Sequence, residues 1–354
     1  MVRRFIDAFL RGEASGPLVG LLRVPLLPAA VLYGGGAAVR ASLYKRGILK
    51  RRRLPIPVVS VGNLTVGGTG KTPFVRALAR RLIDGGHRPL ILSRGYGARA
   101  ASGLDEEGAS LQRDLPNARV AQAPDRFGAA QAHLDEQPAF TVAILDDGAQ
   151  AMGLHRDLEI ILVDATRPFG CGWPLPAGAL REPRGAIGRA DLVVVTRSGE
   201  LDQVGRDRLV EALSRAGLDG DVAWAVHQAD RLLPGGMALH ELEGKRIYLL
   251  SGIAAPESFA STVRGLGGVI VGEQAYGDHH AFRMEELSSA ALSARDAGAE
   301  LILATGKDEP KLSGLGPTAP PLCFLEVIVR LDPDGDVLLD GALKRLLRPP
   351  ADPS

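Results

Sequence analysis

The sequence predicts an α/β protein built around a parallel β-sheet, and three observations carry that prediction. First, near-continuous apolar runs recur at Ile56 to Val61, 88–97, 140–148, 158–165 and 190–198, separated by helical or loop text. Runs without polar alternation are typical of strands covered on both faces. Second, a glycine-rich turn in the stretch Val61 to Pro73 joins the first run to a helical pattern. In that setting backbone amides and a helix N-terminus hold phosphate. Third, strand and helix text alternate again beyond about residue 245, so a second, smaller α/β domain is expected.

The elements follow in order. Pro73 near the start and Gly85-Gly86 at the end bound a helix after the glycine turn. Residues 206–217 form an amphipathic helix after the fifth strand. The second domain reads as strand 245–254, helix 256–268, strand and loop 269–282, helix 283–298, strand 299–310 and a final strand within 320–331. The expected division is a segment 1–54, a nucleotide-binding domain 55–230, a smaller domain 231–346 and a proline-rich tail 347–354.

With 354 residues, 45% hydrophobic and 23% charged, the chain has an ordinary globular composition. A formal charge of +1 and 5% aromatic residues argue against a nucleic-acid partner, which would call for a basic face or stacking platforms. Cys171 and Cys323 stand in no metal-like spacing, which suits a reducing cytosol and excludes a disulfide scaffold.

The segment 1–54 is unusual. Its longest uncharged run, Val24 to Val39, has 16 residues and contains Pro25, Pro28 and Gly34-Gly35-Gly36. A spanning helix needs about 20 apolar residues, and these prolines and glycines argue against a rigid span. Lys45, Arg46, Lys50, Arg51, Arg52 and Arg53 follow. An apolar stretch beside a basic cluster suits an interfacial anchor on an anionic leaflet; the alternative is a buried core helix with a solvated basic end.

The glycine turn departs from the Walker A pattern, since Thr65 stands where its first glycine belongs. Gly67, Gly68 and Gly70 still allow close backbone approach, Lys71 would reach the β- and γ-phosphates, and Thr72 would hold Mg²⁺. Asp146 and Asp147 end an apolar strand, where a metal-binding carboxylate belongs. Asp278, His279 and His280 read as a catalytic pair, as metal ligands or as a polar loop. Asp105, Glu106 and Glu107 by themselves read as a helix N-terminus. A Gly- and Pro-rich loop from Arg167 to Pro183 carries Trp173, Arg181 and Glu182, and loops of that length are often functional.

Taken together, these residues resemble the tetraacyldisaccharide 4′-kinase family of lipid A biosynthesis. The matching stretches are Val61–Pro73, Ser93–Gly97, Ala123–Arg126, Asp146–Gln150, Phe169–Pro183, Asp278–His280 and Thr305–Asp308. The resemblance implies a P-loop NTPase-like fold in which Thr65 is the norm. It implies transfer of the ATP γ-phosphoryl to the 4′-hydroxyl of a tetraacyl glucosamine disaccharide 1-phosphate. By it, Thr65, Val66, Gly67, Gly68, Thr69, Gly70, Lys71 and Thr72 bind ATP, and Thr72, Asp146 and Asp147 serve Mg²⁺. Asn63, Arg94, Tyr96, Gln150, Arg181 and Glu182 meet substrate, and His279 works with an acid, Asp105 or Glu106, beside Asp278.

Three departures stand out: Asp105-Glu106-Glu107 follows Leu104 where the family has roughly Gly-Asp-Glu, Ala151 replaces a common histidine, and Gly306 replaces a usual glutamate. The resemblance further implies a monomer held peripherally or monotopically at the cytoplasmic face of the inner membrane, with an acylated disaccharide lipid as partner. Two other classes compete. A GTPase or metallochaperone should carry Asn-Lys-x-Asp, and the nearest match, Thr305-Gly306-Lys307-Asp308, lacks the asparagine. A membrane-associated scaffold would not bind ATP.

Overall fold

The computed structural model describes residues 6–348 apart from 7, 11, 13, 15, 96–102, 138, 254–255 and 278–279, and leaves the side chains of residues 17, 18 and 106 undescribed. The chain divides into two compact units, one running to Val226 and resuming at Val329, the other His227–Ile328.

In the first unit the chain order is α1 (Pro17–Arg23), α2 (Leu27–Lys45), β1 (Val58–Asn63), α3 (Lys71–Asp84), β2 (Pro89–Ser93), α4 (Glu106–Asp114), β3 (Arg119–Gln122), α5 (Arg126–Glu136), β4 (Val142–Asp146), β5 (Leu158–Asp164), β6 (Leu192–Thr196), α6 (Gln203–Arg215) and the start of β7 (Asp221–Leu233). The strands lie in the order β3-β2-β4-β1-β5-β6-β7, every pairing parallel. Successive residues of each strand feed opposite faces. Ile91, Ile144 and Ile160 pack with Phe74, Leu78 and Leu82 of α3, whereas Leu90, Leu92, Ala143 and Leu145 pack with Ala130 and Leu134 of α5. The sheet is therefore buried on both sides, as the unbroken apolar runs require.

β1 is central, with β4 on one side and β5 on the other. The strand order switches sides there, β2 to β4 lying on one side of β1 and β5 to β7 on the other, so a crevice opens at the carboxyl ends of the strands, where ligands bind in open α/β sheets. Gly62 lets two of these strand ends meet. A Cβ at Gly62 would lie 2.5 Å from the backbone nitrogen and Cβ of Ala149, just after β4.

Two elements have no apolar run to announce them. β3 has only four residues. The helix that follows Val329 in the first unit, Pro333–Leu346, begins in acidic text, with Asp332 as N-cap accepting from Gly335 N at 2.8 Å. It packs Leu339, Ala342 and Leu343 into the α3 face of the sheet, and Arg81 of α3 pairs with Asp336 and Asp340 at 2.6 and 2.7 Å. The sequence division kept this helix with 231–346; these contacts group it with the first unit.

The N-terminal segment is helical despite its prolines. Pro25 and Pro28 occupy first-turn positions of a short 3₁₀ stretch and of α2, where proline leaves no intrahelical bond unmade. Of the three glycines only Gly34 is buried; a Cβ there would stand 2.9 Å from Pro174. Val19–Lys45 is long and apolar enough to cross a membrane, and only 11% of its most apolar window is buried. A buried core helix is thereby ruled out.

In the second unit, β8 (Arg246–Ser251), β9 (Val269–Ala275), β10 (Leu301–Thr305) and β11 (Leu322–Leu331) form a parallel sheet in the order β11-β10-β8-β9. The helix Pro256–Gly265 covers one face through Phe259 and Val263, and the helix Met284–Asp296 covers the other through Leu287 and Ala290. The Gly62 contact yields the first prediction: Gly62→Ala should destabilise the fold by about 1–3 kcal/mol, measured by urea unfolding.

Candidate active site

The glycine turn between β1 and α3 has a fixed shape. Gly67 and Gly70 adopt φ of 119° and 82°, and Gly70 is the N-cap of α3, conformations that a Cβ disfavours. Thr65 needs no such freedom, because it bridges antiparallel to Leu180. Val66 N donates to Ala179 O at 2.7 Å, Arg181 N donates to Leu64 O at 2.7 Å, and Asn63 Nδ2 donates to Thr65 O at 2.7 Å. The missing first glycine is thus replaced by a strand-like seam with the Arg167–Pro183 loop. On the other side, Thr196 Oγ1 donates to the carbonyl of Thr69 at 3.1 Å and Arg197 to that of Gly68 at 3.3 Å.

Lys71 begins α3 and points back across the turn. Its Nζ lies 3.1 Å from Asn63 Oδ1 and 3.5 Å from Asp147 Oδ1. Arg181 Nη1 donates to both oxygens of Asp147 at 2.9 Å and to Gln150 Oε1 at 3.2 Å. Burial opposes ionisation of Asp147, but Lys71 and Arg181 outweigh it and hold the carboxyl below its usual range. Asp147 adopts φ 50°, a left-handed conformation. Such strain persists only where surroundings enforce it, and it clusters at functional sites.

Asp146 behaves in the opposite way. Burial, then the charge of Glu107, push its carboxyl up to about 7 against the pull of Lys71. Glu107 in turn accepts a hydrogen bond from Thr72 Oγ1. Asp146, Glu107 and Thr72 thus gather negative charge and a hydroxyl beside the first turn of α3, which suits a divalent cation. Among the described residues no three His, Cys, Asp or Glu side chains are arranged to hold a metal by themselves. Mg²⁺ fits such a setting, since it keeps waters and binds through one or two carboxylates together with substrate phosphates.

The other candidates separate into three groups. Asp105 caps α4, accepting from Gly108 N at 2.8 Å and from Gln122 Nε2 at 2.9 Å. Glu182 is buried, at 2% exposure, with its oxygens bonded to Arg189 and Gln150. Gln150 also donates to Asn63 O at 3.1 Å. Tyr96, Asp278 and His279 lie outside the described residues, as does the Glu106 side chain. Glu107, the second residue of α4, stands beside Thr72, whereas the Asp-Glu-Glu run marks it in the sequence only as part of an acidic helix start. Arg189 and Glu159 were not expected from the sequence, where their one signal is a glutamate inside the otherwise apolar run 158–163.

An open cavity of about 940 Å³ extends from these groups. Asp147, Gln150, Arg181 and Glu182 line one part, and Leu32, Tyr33, Gly36, Ala37 and Arg40 of α2 line another. Arg94 and Arg126 also border it. Val66 at the start of the glycine turn lines it as well, so the edge of a phosphate-type loop shares one cavity with an exposed apolar helix.

A family model described as tetraacyldisaccharide-1-P 4′-kinase matches residues 22–344. The chain belongs to the tetraacyldisaccharide 4′-kinase family. A tetraacyldisaccharide 4′-kinase of Anaeromyxobacter sp. (strain Fw109-5) is 38% identical over 94% of this chain and 95% of its own length. Another, of Geobacter sulfurreducens, is 38% identical over 95% of this chain and 97% of its own. The crystal structure of an "apo" form of LpxK from Aquifex aeolicus in complex with ATP superposes with a TM-score of 0.71 at 30% identity, covering 92% of this chain and all of that one. Membership of this kinase family makes ATP the phosphoryl donor, with a divalent metal such as Mg²⁺, and sets aside the GTPase and scaffold readings.

The raised Asp146 carboxyl makes a signed prediction. Below the unfolded carboxylate range both states are protonated; as pH rises towards 7 the folded state keeps a proton the unfolded state has lost, so ionisation costs stability. Metal-free Asp146→Asn should therefore approach the parent at about pH 3 and exceed it at about pH 8, by on the order of 2 kcal/mol after allowing for solvent access. Denaturant unfolding at the two pH values reads this, and Mg²⁺-dependent turnover of the same variant should fall at least about 100-fold.

Proposed function

We propose that this chain phosphorylates the 4′-hydroxyl of a tetraacyl glucosamine disaccharide 1-phosphate from ATP, forming lipid IVA at the cytoplasmic face of the inner membrane. The observation that carries this reading is the shared cavity: Asp147 and Arg181, the first of which is paired with Lys71, line the same space as Leu32 and Tyr33 of α2. A soluble acceptor would need no apolar wall there. The near-match to a guanine-reading motif offers no competing site, because Asp308 is fully buried and bonded to Gly252 N at 2.9 Å and Thr305 Oγ1 at 2.7 Å.

Phosphoryl transfer needs positioning and charge neutralisation more than covalent help. Lys71, the amides of the glycine turn and Arg181 would hold the phosphates, with Asp147 keeping both cations in place beforehand. Asp146, Thr72 and Glu107 would hold Mg²⁺, which when bound neutralises charge on the transferring group. His279, paired with Asp105 or Glu106, would take the proton of the attacking hydroxyl. Arg94, Tyr96 and Gln150 would meet the sugar head group; Asn63, expected there from the sequence, is fully buried with its amide bonded to Lys71 and Thr65 O, and so supports the site from behind.

The N-terminal helix would keep the enzyme where its substrate resides. Leu21, Leu22, Val24, Val31, Leu32 and Val39 are each more than half exposed, and the basic cluster from Lys45 to Arg53 follows directly. This is the pairing of an apolar face with anionic headgroups that holds monotopic proteins. The protein would act there as a monomer.

Two experiments test this reading. Label from γ-radiolabelled ATP should enter tetraacyl disaccharide 1-phosphate in detergent micelles, and Lys71→Ala should abolish it; a variant with near-normal turnover would remove the phosphate-loop assignment. Replacing Leu22, Val31, Leu32 and Val39 together with serine should reduce sedimentation with anionic phospholipid vesicles at least about tenfold, while transfer to a micellar substrate at saturating lipid persists.

A further inference from the structure

The geometry points to Arg189 as a positioning residue for phosphoryl transfer, acting through Glu182 and the loop after β4; this rests on the kinase reading above. Arg189 lies at the end of a short 3₁₀ turn, Arg184–Arg189, whose Ile187 is fully buried. Its guanidinium is directed on every side. Nε donates to Glu159 Oε1 at 2.8 Å, Nη1 to Glu182 Oε2 at 2.7 Å, and Nη2 to Glu182 Oε1 at 2.8 Å and to Ala149 O at 3.1 Å.

Beyond Glu182 the bonds continue towards the phosphate loop. Gln150 Nε2 donates to Glu182 Oε1 at 2.8 Å, Arg181 Nη1 donates to Gln150 Oε1 at 3.2 Å, and the same nitrogen holds Asp147. One planar fork therefore sets the Glu182 carboxylate and the Ala149 carbonyl at once. The first reaches Asp147 through Gln150 and Arg181 and the second lies two residues after it, so both bear on a left-handed backbone that must be held from outside.

The supports behind Arg189 are themselves fixed. Glu159 is buried at 7% exposure within β5, and Arg156 Nη1 binds its Oε1 at 2.6 Å and Ala149 O at 3.3 Å. Two arginines thus balance two buried glutamates, so losing one member leaves a charge uncompensated. Lysine at 189 would keep the charge but not the fork, and it could not reach all three acceptors in one plane. The expected consequence is a displaced Gln150–Arg181–Asp147 arrangement, and small displacements of positioning groups cost large rate factors.

The test uses the full-length enzyme in the micellar transfer assay. Arg189→Lys should lower kcat about 10–100-fold while KM for ATP changes less than about threefold. Gln150→Ala should lower kcat too, and the double variant should be little worse than the poorer single, because both act along one chain of bonds. Full kcat in a folded Arg189→Lys protein with a lowered melting temperature would overturn the inference and leave Arg189 a purely structural strap; so would kcat losses that multiply in the double variant. If Arg189→Lys does not fold, Glu159→Gln, which keeps side-chain shape, should show the same loss and the same non-additivity with Gln150→Ala, and unchanged kcat there would also overturn it. A parent enzyme that moves no label into lipid would instead overturn the kinase reading.

Discussion

One carboxylate shared by two cations organises the first unit's site. Asp147 meets Lys71 from the start of α3 and Arg181 from the Arg167–Pro183 loop, so three segments distant in sequence converge on two oxygen atoms. Each cation, left alone in a partly buried crevice, would bear a desolvation penalty and a disordered side chain. Paired with Asp147, both are oriented before any phosphate arrives. On the proposed function, a triphosphate would meet cations already in place, and little would have to reorganise in the transition state. At the adjacent Asp146 burial and Glu107 outweigh the pull of Lys71, and its raised carboxyl marks where positive charge is wanted. Two neighbouring aspartates on one strand end thereby have opposite electrostatic characters, set by what surrounds them.

That arrangement depends on close backbone approaches that the sequence shows only as glycines. Gly62 admits Ala149 against β1, and Gly148 sits where a Cβ would meet Ser60 Oγ at 2.4 Å. With β1 and the β4 loop locked together, the left-handed turn at Asp147 has no route to relax, and its side chain stays aimed at Lys71. The Thr65–Leu180 bridge performs the same service for the other edge of the phosphate loop, which is why a threonine stands where the usual pattern has glycine.

The parts of this structure legible from sequence are those governed by local rules. Parallel strands buried on both faces read as unbroken apolar runs, and a strand–glycine turn–helix reads as a phosphate loop whether or not its first glycine is present. β3 escaped notice because four residues, Arg119 to Gln122, carry too little periodicity, and the helix Pro333–Leu346 because its first turn is acidic and contains glycine. The N-terminal segment misled in the other direction: its prolines sit at first-turn positions and do not interrupt helix. Glu107, Glu159 and Arg189 were illegible for a different reason. Each matters through a tertiary partner, and no spacing rule ties Glu159 to Arg189 or Glu107 to Thr72.

The packing of α2 bears on why a lipid should be the acceptor. Helices that belong to a core turn their large apolar residues inward and leave small or polar ones outside. α2 does the reverse, burying Ala30 and resting Gly34 on the site loop while Val31, Leu32 and Val39 face outward. Left in water, that surface is a liability; placed in an acyl environment, each large side chain recovers on the order of 1–3 kcal/mol. The small residues bring the helix close to the Arg167–Pro183 loop, so the apolar surface ends beside Arg181 instead of at a remote anchor. On the proposed function, a substrate whose acyl chains follow that surface would have its head group delivered to the Lys71–Asp147–Arg181 array by geometry alone. The affinity of the membrane for the enzyme and that of the enzyme for its substrate would then draw on the same helix.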